Sequence, residues 1–186
     1  MLTFENRIEM MRGILHPEAD LCEVGVFLGE FSSTLLRFRP KRLTLIDMWE
    51  GQMVSGDADG NNHKGANMEN VWEDIQRVAK EIPAVDLRRG KSQDVLPTLA
   101  DESYDMIYID GDHSYEGVKR DLELAWPKVR KGGFLCGHDY EINKAKCWFD
   151  YNFGVRRAVD EFLGERGLSL YAKALDGCVS WAVLKT

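Results

Sequence analysis

Cysteine is scarce in this sequence, and the few cysteines form no recognisable metal or redox motif. The chain has four, Cys22, Cys136, Cys147 and Cys178, and no two of them make a Cys-x-x-Cys pair. Three of the four stand in apolar runs that are typical of strands. We therefore expect buried, reduced thiols, and neither disulfide bonds nor a zinc site.

The sequence also lacks a long apolar run and an excess of basic residues. No stretch approaches the ~20 apolar residues that a membrane-spanning helix needs, and the opening Met-Leu-Thr-Phe-Glu-Asn-Arg does not resemble a signal peptide. With 24 Lys and Arg against 31 Asp and Glu, the net charge is −7, which gives no general attraction to nucleic acid or anionic membranes. We expect a cytoplasmic protein that binds neither.

The arrangement of apolar residues predicts one α/β domain over residues 1–186. At this length, with 44% hydrophobic and 30% charged residues, the chain can bury a substantial core. Strand-like apolar runs alternate with segments of helical spacing, which is typical of a doubly wound sheet. Asp176-Gly177 between the last two runs predicts a closing antiparallel hairpin. The predicted strands cover residues 20–26, 42–48, 85–89, 104–110, 134–137, 168–175 and 178–184.

Two segments stand apart from this alternation. Residues 4–15 carry Phe4, Ile8, Met11 and Leu15 at helical intervals, which predicts an N-terminal helix within residues 1–16. Residues 49–67 are polar and rich in glycine, and long loops of this kind in small domains are often functional. We expect them to form a lid, with Trp49 closing over a ligand.

The first predicted strand leads into a glycine-bearing turn suited to a ligand. Its sequence, Glu23-Val-Gly-Val-Phe-Leu-Gly29, differs from the dinucleotide-binding Gly-x-Gly-x-x-Gly because a carboxylate precedes the glycines. Gly25 and Gly29 allow positive φ and a close approach of a ligand to the backbone. Glu23 would repel a pyrophosphate but suits a ligand that carries an amino group. A plain tight turn is the alternative.

Asp47 ends the second predicted strand at a spacing typical of nucleotide sites. It follows Gly29 by 18 residues (47 − 29), close to the ~20 at which an acidic residue contacts ribose hydroxyls in βαβ units. A carboxylate can accept two charge-assisted hydrogen bonds from a ribose diol. We therefore expect a cofactor here, with Phe27 and Met48 as neighbouring contacts.

Ser92 follows the third predicted strand in the turn Gly90-Lys-Ser-Gln-Asp94. Serine is a favoured helix N-cap, so Ser92 predicts a helix over residues 93–99. A polar turn at this position can also hydrogen-bond an adenine edge. A cap alone and a cap combined with a ligand contact both fit the sequence.

Two further apolar runs each end in acidic residues and histidine. Asp110, Asp112 and His113 follow the fourth predicted strand, and His138 and Asp139 follow the fifth. Because open α/β sheets place ligands at the carboxyl ends of their strands, these five side chains are expected to converge on one site. The alternatives are an Asp-Gly-Asp-His turn that only caps the next helix and a hydrogen-bonded structural role for His138.

Together these motifs resemble the class I S-adenosylmethionine-dependent methyltransferases over nearly the whole chain. Residues 23–29 are similar to that class's first motif, and a terminal β-hairpin is its addition to the nucleotide-binding sheet. The subgroup that they resemble is the macrocin O-methyltransferase-like small-molecule O-methyltransferases, through Ile46-Asp-Met-Trp-Glu-Gly51, Ile109-Asp-Gly-Asp-His-Ser-Tyr115 and Gly154-Val-Arg-Arg-Ala-Val-Asp-Glu-Phe162. The resemblance implies a Rossmann-like sheet of seven strands in the order 3-2-1-4-5-7-6.

The resemblance also implies a cofactor and a set of contacts to it. S-adenosylmethionine would bind with its methionine portion among Glu23, Gly25 and Gly29, and Asp110 would border the same site. Asp47 would hold the ribose, and Ser92 would lie near the adenine. The reaction partner would be a small molecule with a hydroxyl group.

In the metal-dependent members of the class, an acidic residue after the fourth strand and an acidic pair after the fifth bind Mg²⁺. The corresponding residues here are Asp110 and the pair His138-Asp139. A histidine in the pair shifts the preference from Mg²⁺ toward another divalent metal of the transition series. Asp112 or His113 would then be the catalytic base that accepts the proton of the substrate hydroxyl.

Two other functions could use the same residues. A metal-dependent hydrolase would need the acidic and histidine residues but no sulfonium cofactor, and the arrangement from Glu23 to Asp47 argues against it. A catalytically silent module that binds the cofactor, or that takes part in an assembly such as a homodimer, would need only the first half of the site.

Overall fold

The computed structural model of the chain describes residues 1–51, 67–141 and 153–186, which contain an eight-stranded sheet with helices on both faces. The strands are β1 (Leu2–Phe4), β2 (Asp20–Val24), β3 (Arg42–Asp47), β4 (Val85–Arg89), β5 (Tyr104–Ile109), β6 (Val129–Gly137), β7 (Ala172–Ala174) and β8 (Ser180–Leu184). The helices are α1 (Arg7–Ile14), α2 (Glu30–Leu36), α3 (Met68–Ala79), α4 (Ser92–Val95), α5 (Tyr115–Ala125) and α6 (Val155–Arg166). Short 3₁₀ turns follow α4 and α5.

The order of strands across the sheet is β1-β7-β8-β6-β5-β2-β3-β4. β8 runs antiparallel to both of its neighbours, and the other pairs are parallel. Without β1, this is the predicted order 3-2-1-4-5-7-6 with its C-terminal hairpin. The predicted count of seven strands is wrong, because β1 adds an eighth strand at the edge, beside β7.

β1 has too few residues to show a strand pattern in the sequence. It has three, two of them exposed, so no alternation of buried and exposed positions marks it. Its place is set by backbone bonds to residues far along the chain. The Leu2 N–H donates to the Tyr171 carbonyl at 2.7 Å, and the Leu175 N–H donates to the Phe4 carbonyl at 3.0 Å.

The predicted N-terminal helix therefore starts later than its apolar spacing indicated. Asn6 is the N-cap of α1, and its side chain accepts a hydrogen bond from the Glu9 N–H at 3.0 Å. Met10 and Met11 are fully buried and fix the helix to the sheet. Phe4 belongs to β1 and not to the helix.

The two faces of the sheet have separate cores. On one face, buried residues of α1, α2 and α3 pack on the sheet: Met10, Met11, Phe31, Leu35 and Met68. On the other face, α5 and α6 supply Val118, Leu122, Ala125, Val155, Ala158, Val159, Phe162 and Leu163. Helices on both faces leave the carboxyl ends of the parallel strands as an open edge, where a ligand can bind.

Expectations based on composition agree with the structure where it describes the residues. Cys22 and Cys136 are buried free thiols, as predicted, Cys178 is buried, and Cys147 lies outside the described residues. Among the described helices, none is both long and apolar enough to cross a membrane.

Trp49 does not have its predicted place in a lid. Its side chain is fully buried, its ring lies 4.8 Å from that of Trp72, and its indole N–H donates to the Phe27 carbonyl at 3.1 Å. These contacts hold Trp49 in the core beneath the glycine turn. Most of the predicted lid, residues 52–66, lies outside the described residues.

Candidate active site

The glycine turn after β2 lies directly against the start of the loop after β5. The Asp110 N–H donates to the Val24 carbonyl at 2.7 Å. Gly25 has φ +87°, and a Cβ at this position would lie 2.1 Å from the Asp110 carbonyl oxygen. Glycine is required here for both reasons. The close packing brings the predicted cofactor turn and the first predicted metal ligand to one place.

Asp47 uses most of its carboxylate to hold the glycine turn. One oxygen accepts from the Val26 and Phe27 N–H groups, both at 2.9 Å, and the other accepts from the Trp49 N–H at 2.8 Å. A carboxylate has about four acceptor sites, so one is left for a ligand hydroxyl. The ribose role of Asp47 stays a prediction, and to it the structure adds the shaping of the turn.

Glu23 lies beneath the turn, almost without solvent exposure. Its side chain is 1% exposed, and one carboxyl oxygen accepts a hydrogen bond from the Ser32 hydroxyl at 2.5 Å. Burial raises the pKa of Glu23 to about 8, although the bond from Ser32 opposes the rise. Near neutral pH, Glu23 is therefore mostly protonated until a cation comes beside it.

The other predicted contacts at this end differ in exposure. Phe27 follows Gly25 by two residues with a left-handed φ of +54°, and Gly29 has φ +81°. Met48, just after β3, is 41% exposed, and its carbonyl accepts from Arg89 at 3.1 Å. Phe27 and Gly29 belong to the glycine turn and Met48 follows β3, and the roles of all three as cofactor contacts stay predictions.

Ser92 does not cap a helix as predicted. The N-cap of α4 is Lys91, and the Ser92 hydroxyl instead donates to Asp121 of α5 at 2.6 Å. Asp121 is fully buried, and within the described residues its other carboxylate oxygen has no hydrogen-bond partner. Ser92 thus ties the turn after β4 to the helix after β5, and its adenine contact stays a prediction.

Three of the predicted residues bring their donor atoms together after β5 and β6. Asp110, His113 and Asp139 each offer one metal-ligand atom, and these atoms all lie within 4.8 Å of one another. His113 Nε2 is 2.9 Å from the Asp139 carboxylate and 3.4 Å from that of Asp110. We call Asp110, His113, His138 and Asp139 the acid–histidine cluster.

His138 belongs to the cluster but is not part of the compact donor set. Its Nδ1 atom lies 3.3 Å from the Asp139 carboxylate and 3.8 Å from that of Asp110. The predicted ligand set was Asp110, His138 and Asp139, whereas the structure gathers Asp110, His113 and Asp139. His113, which the sequence offered as a catalytic base, is thus the histidine of the compact donor set, and the ligand role of His138 stays a prediction.

The carboxylates of the cluster favour the protonated form of both histidines. Burial alone would lower the pKa of His113, but Asp110 and Asp139 outweigh it and raise the pKa to about 10. The same carboxylates raise the pKa of His138 against its burial. Burial works against ionisation of Asp139, but hydrogen bonds from the two histidines hold its pKa below the usual range. In the metal-free protein His113 is therefore an imidazolium near neutral pH, not the free base predicted from its ordinary pKa.

Asp112 lies apart from the donor set. One oxygen accepts from the Ser114 N–H at 2.9 Å, and the other is 3.9 Å from Arg120. Ser114 itself caps α5 by accepting from the Gly117 N–H. The bonds of Asp112 match the alternative in which the Asp-Gly-Asp-His turn starts the helix, and its role as catalytic base stays a prediction without support from this geometry.

The start of α6 at Gly154, which lies 41 residues (154 − 113) later in the chain, packs against His113 and helps to position it. The Gly154 N–H donates to the His113 carbonyl at 2.9 Å, and a Cβ on Gly154 would lie 2.1 Å from the Tyr115 nitrogen. The Phe153 ring lies 4.8 Å from the His113 ring. Glycine at 154 is thus needed for α6 to approach the cluster.

Three residues at this edge have left-handed backbone conformations that side chains with a Cβ rarely adopt. They are Phe27, Trp49 and Asp139, with φ +54°, +44° and +57°. Each follows a different strand at its carboxyl end. Strain of this kind persists where surrounding contacts enforce it and is frequent at functional sites.

Sequence reasoning missed Arg7, which reaches the cluster from α1. Its guanidinium lies 3.8 Å from the Asp110 carboxylate and 4.7 Å above the Phe31 ring. The sequence offered no signal for this contact, because Arg7 is 103 residues (110 − 7) from Asp110 and stands in a segment with no motif.

The donor set fits a divalent cation. Two carboxylates and one imidazole are ligands for Mn²⁺, Fe²⁺ or Zn²⁺, and a histidine makes Mg²⁺ a poorer match. Imidazole binds a metal only in its neutral form, so a metal at this site must replace the proton on His113.

A cavity of about 210 Å³ lies between α2 and α3, next to the glycine turn, whose Val26, Leu28 and Gly29 help to line it. Its lining is largely apolar, with Leu36, Leu45, Ile75 and Ile82 among the contributors. It contains no member of the acid–histidine cluster.

Residues 22–140 match the sequence model of a family described as a methyltransferase domain. The match covers more than half of the chain and includes the glycine turn, Asp47 and the whole acid–histidine cluster. No curated protein sequence matches the chain.

Solved structures of methyltransferases share this fold. The O-methyltransferase NovP is 23% identical with a TM-score of 0.62, and the alignment covers 96% of this chain and 76% of NovP. An S-adenosylmethionine-dependent methyltransferase from Aquifex aeolicus is 14% identical with a TM-score of 0.61, with 94% and 87% covered. Fibrillarin from Aeropyrum pernix, solved with natively bound S-adenosyl-L-methionine, is 13% identical with a TM-score of 0.64, with 96% and 73% covered. At these identities the likeness concerns the fold.

Proposed function

The chain belongs to the methyltransferase-domain family and is an S-adenosylmethionine-dependent methyltransferase, and we propose that its acceptor is a hydroxyl group of a small molecule. One observation carries the proposal: the compact donor set of Asp110, His113 and Asp139 adjoins the glycine turn that the cofactor needs. Oxygen and nitrogen ligands of this kind suit a divalent cation that also binds a hydroxyl oxygen. The name of NovP, an O-methyltransferase, agrees with this acceptor.

The residues around the glycine turn would bind and orient the cofactor. Gly25 and Gly29 allow close approach to the backbone, Glu23 would face the amino group, and the free acceptor site of Asp47 would take a ribose hydroxyl. S-adenosylmethionine supplies a methyl group on a sulfonium, which a nucleophile in line with the carbon–sulfur bond can accept. Orientation of the acceptor is thus the main task of the protein.

The cluster would orient the acceptor and manage its proton. Asp110, His113 and Asp139 would hold a divalent cation, which would supply a Lewis acid that lowers the pKa of a bound hydroxyl. As a ligand His113 would be neutral and would not act as the base, so the proton of the acceptor hydroxyl would pass to solvent water. The carboxylates keep the acceptor oxygen close to the glycine turn. A net charge of −7 favours a small molecule over nucleic acid or a membrane as the partner.

Calorimetric titration with S-adenosylhomocysteine, with and without Mn²⁺ or Mg²⁺, tests the proposal. We expect micromolar-range binding of S-adenosylhomocysteine to the wild type and of Mn²⁺ at a single site. Asp139→Ala should abolish metal binding and methyl transfer but leave the affinity for S-adenosylhomocysteine, measured without metal, within a few-fold. Asp110→Ala should abolish metal binding and methyl transfer and also weaken the binding of S-adenosylhomocysteine, because Asp110 borders both halves of the site. Asp74→Asn is a matched control, because Asp74 is exposed and paired with Arg77 on α3.

The outcomes separate the competing functions. Failure to bind S-adenosylhomocysteine under any condition contradicts the proposal and favours a hydrolase. Cofactor binding without methyl transfer to any of a panel of catechols, sugars and hydroxy acids favours a silent module. Full methyl transfer in EDTA would show that the reaction needs no divalent metal.

A further inference from the structure

Arg7 is a cation that the N-terminal helix places at the carboxyl edge of the sheet. Its guanidinium lies 3.8 Å from the Asp110 carboxylate and over the Phe31 ring at 4.7 Å, and it interacts electrostatically with Tyr108. Asp110 follows β5 and packs against Gly25, while Phe31 belongs to the first turn of α2. Arg7 therefore stands between the glycine turn and the acid–histidine cluster.

We propose that Arg7 binds the α-carboxylate of the methionine portion of the cofactor, and so makes the site select ligands that carry this group. The inference rests on the proposed function. It adds to the glycine turn a residue from a part of the chain outside the family match, which begins at residue 22.

The charges at this edge explain why a cation is needed. The amino-acid end of the cofactor carries an ammonium and a carboxylate on the same carbon. Asp110, and Glu23 once an ammonium beside it favours its ionised form, attract the ammonium but repel the carboxylate, so acids alone make a poor site for the pair. Arg7 interacts electrostatically with both of these acids. It supplies the positive charge that the second group requires.

Arg7 also has hydrogen-bond donors left for a ligand. A guanidinium has five N–H donors, and its 3.8 Å approach to Asp110 is longer than a hydrogen bond. Arg89, at the same edge, differs in this respect. It donates to Glu69 at 2.9 Å and to the backbone carbonyls of Met48 and Trp49 at 3.1 and 2.9 Å. Arg7 is the better placed of the two for a bidentate bond to a carboxylate.

The helix that carries Arg7 is anchored by groups other than its side chain. The Arg7 backbone N–H donates to the Asp176 carboxylate at 2.9 Å, Asn6 caps the helix, and Met10 and Met11 are buried. The guanidinium is further held by its stacking on Phe31. It is therefore fixed before a ligand binds, which reduces the entropy lost on binding. A substitution that keeps the backbone N–H leaves α1 in place.

Two ligands distinguish a carboxylate contact from a general effect on the site. S-adenosylhomocysteine has the amino-acid end, and 5′-deoxy-5′-methylthioadenosine keeps the adenosine and the sulfur but lacks it. Titration calorimetry of Arg7→Gln should show about a 10- to 100-fold weaker affinity for S-adenosylhomocysteine, the range expected for a lost charged hydrogen-bonded pair. The affinity for methylthioadenosine should change less than twofold. Arg7→Lys should restore part of the loss, because lysine keeps the charge but not the bidentate geometry.

Arg12→Gln is the matched control, since Arg12 lies on the same helix, is 64% exposed and pairs with Glu9. It should leave both affinities unchanged, and the thermal midpoints of all variants should agree. If Arg7→Gln weakens the affinity for both ligands equally, or for neither, the inference is overturned while the proposed function stands. An effect confined to the KM of the acceptor also overturns it. A wild-type protein that binds neither ligand removes the proposed function and this inference together. If Arg7→Gln does not fold, Arg7→Lys carries the same comparison, with a several-fold selective loss expected.

Discussion

The protonation of the buried Glu23 can be tested directly, because burial keeps its carboxyl group neutral in the cofactor-free protein. Its side chain is 1% exposed, and burial raises its pKa from an ordinary 4.5 to about 8. The perturbation is Glu23→Gln, which has nearly the same shape, cannot ionise, and still offers an oxygen to the Ser32 hydroxyl. The two proteins should differ in stability in a way that depends on pH.

The size of the difference follows from proton linkage. Between pH 4.5 and about 8 the unfolded chain has lost the Glu23 proton and the folded chain has kept it, so folding stability falls as pH rises. Each pH unit costs about 1.4 kcal/mol, and the interval of 3.5 units (8 − 4.5) gives roughly 5 kcal/mol at most. Water that enters around an ionised Glu23 would reduce this value. Above about pH 8 both states are ionised and the difference is constant.

Urea unfolding of both proteins at pH 5, 7 and 9 measures the effect. Glu23→Gln should match the wild type within about 1 kcal/mol at pH 5 and exceed it by several kcal/mol at pH 9. All other ionisable groups are shared, so their contributions cancel in the comparison. A difference that does not change with pH would show that Glu23 is ionised throughout, and would refute the account of its burial.

Two further predictions concern the contacts that hold the strand ends together. Ser92→Ala should lower the free energy of unfolding by about 1–3 kcal/mol in urea titrations, because it leaves the buried Asp121 without its hydrogen-bond donor. Ser33→Ala, at an exposed hydroxyl on α2, is the control and should have little effect. Gly25→Ala should abolish S-adenosylhomocysteine binding and lower the thermal midpoint steeply, since its Cβ would lie 2.1 Å from the Asp110 carbonyl; a soluble Gly25→Ala protein with unchanged affinity would contradict the packing described here.

The central part of the fold was predictable because parallel strands leave a strong and local pattern. Continuous apolar runs ending in polar residues located β2, β3, β4 and β5 to within two residues, and the resemblance supplied their order. The strands at the β1 end of the sheet were harder to predict. β1 has three residues and β7 has three, and both depend on partners more than on their own side chains.

The candidate site was predictable in position but not in detail. The rule that ligands bind at the carboxyl ends of strands brought Asp110 and Asp139 together correctly. It could not distinguish His113 from His138, because both follow strands and only the loop geometry sets which imidazole completes the donor set. The bond from Ser92 to Asp121 joins residues 29 apart in different elements. No spacing rule predicts a contact of that kind.

Asp110 lies where the two halves of the proposed site meet, so we expect the binding of the cofactor to depend on the binding of a metal. In the ligand-free protein its carboxylate faces Arg7 at 3.8 Å and His113 at 3.4 Å. If the Arg7 guanidinium binds the cofactor carboxylate, its positive charge compensates the negative charge of Asp110 less than before. Asp110 then becomes a stronger ligand for a cation. By linkage, a metal bound at Asp110 must strengthen cofactor binding by the same factor. S-adenosylhomocysteine should therefore bind more tightly with Mn²⁺ than without it, and Arg7→Gln should remove that difference because the shared charge is gone.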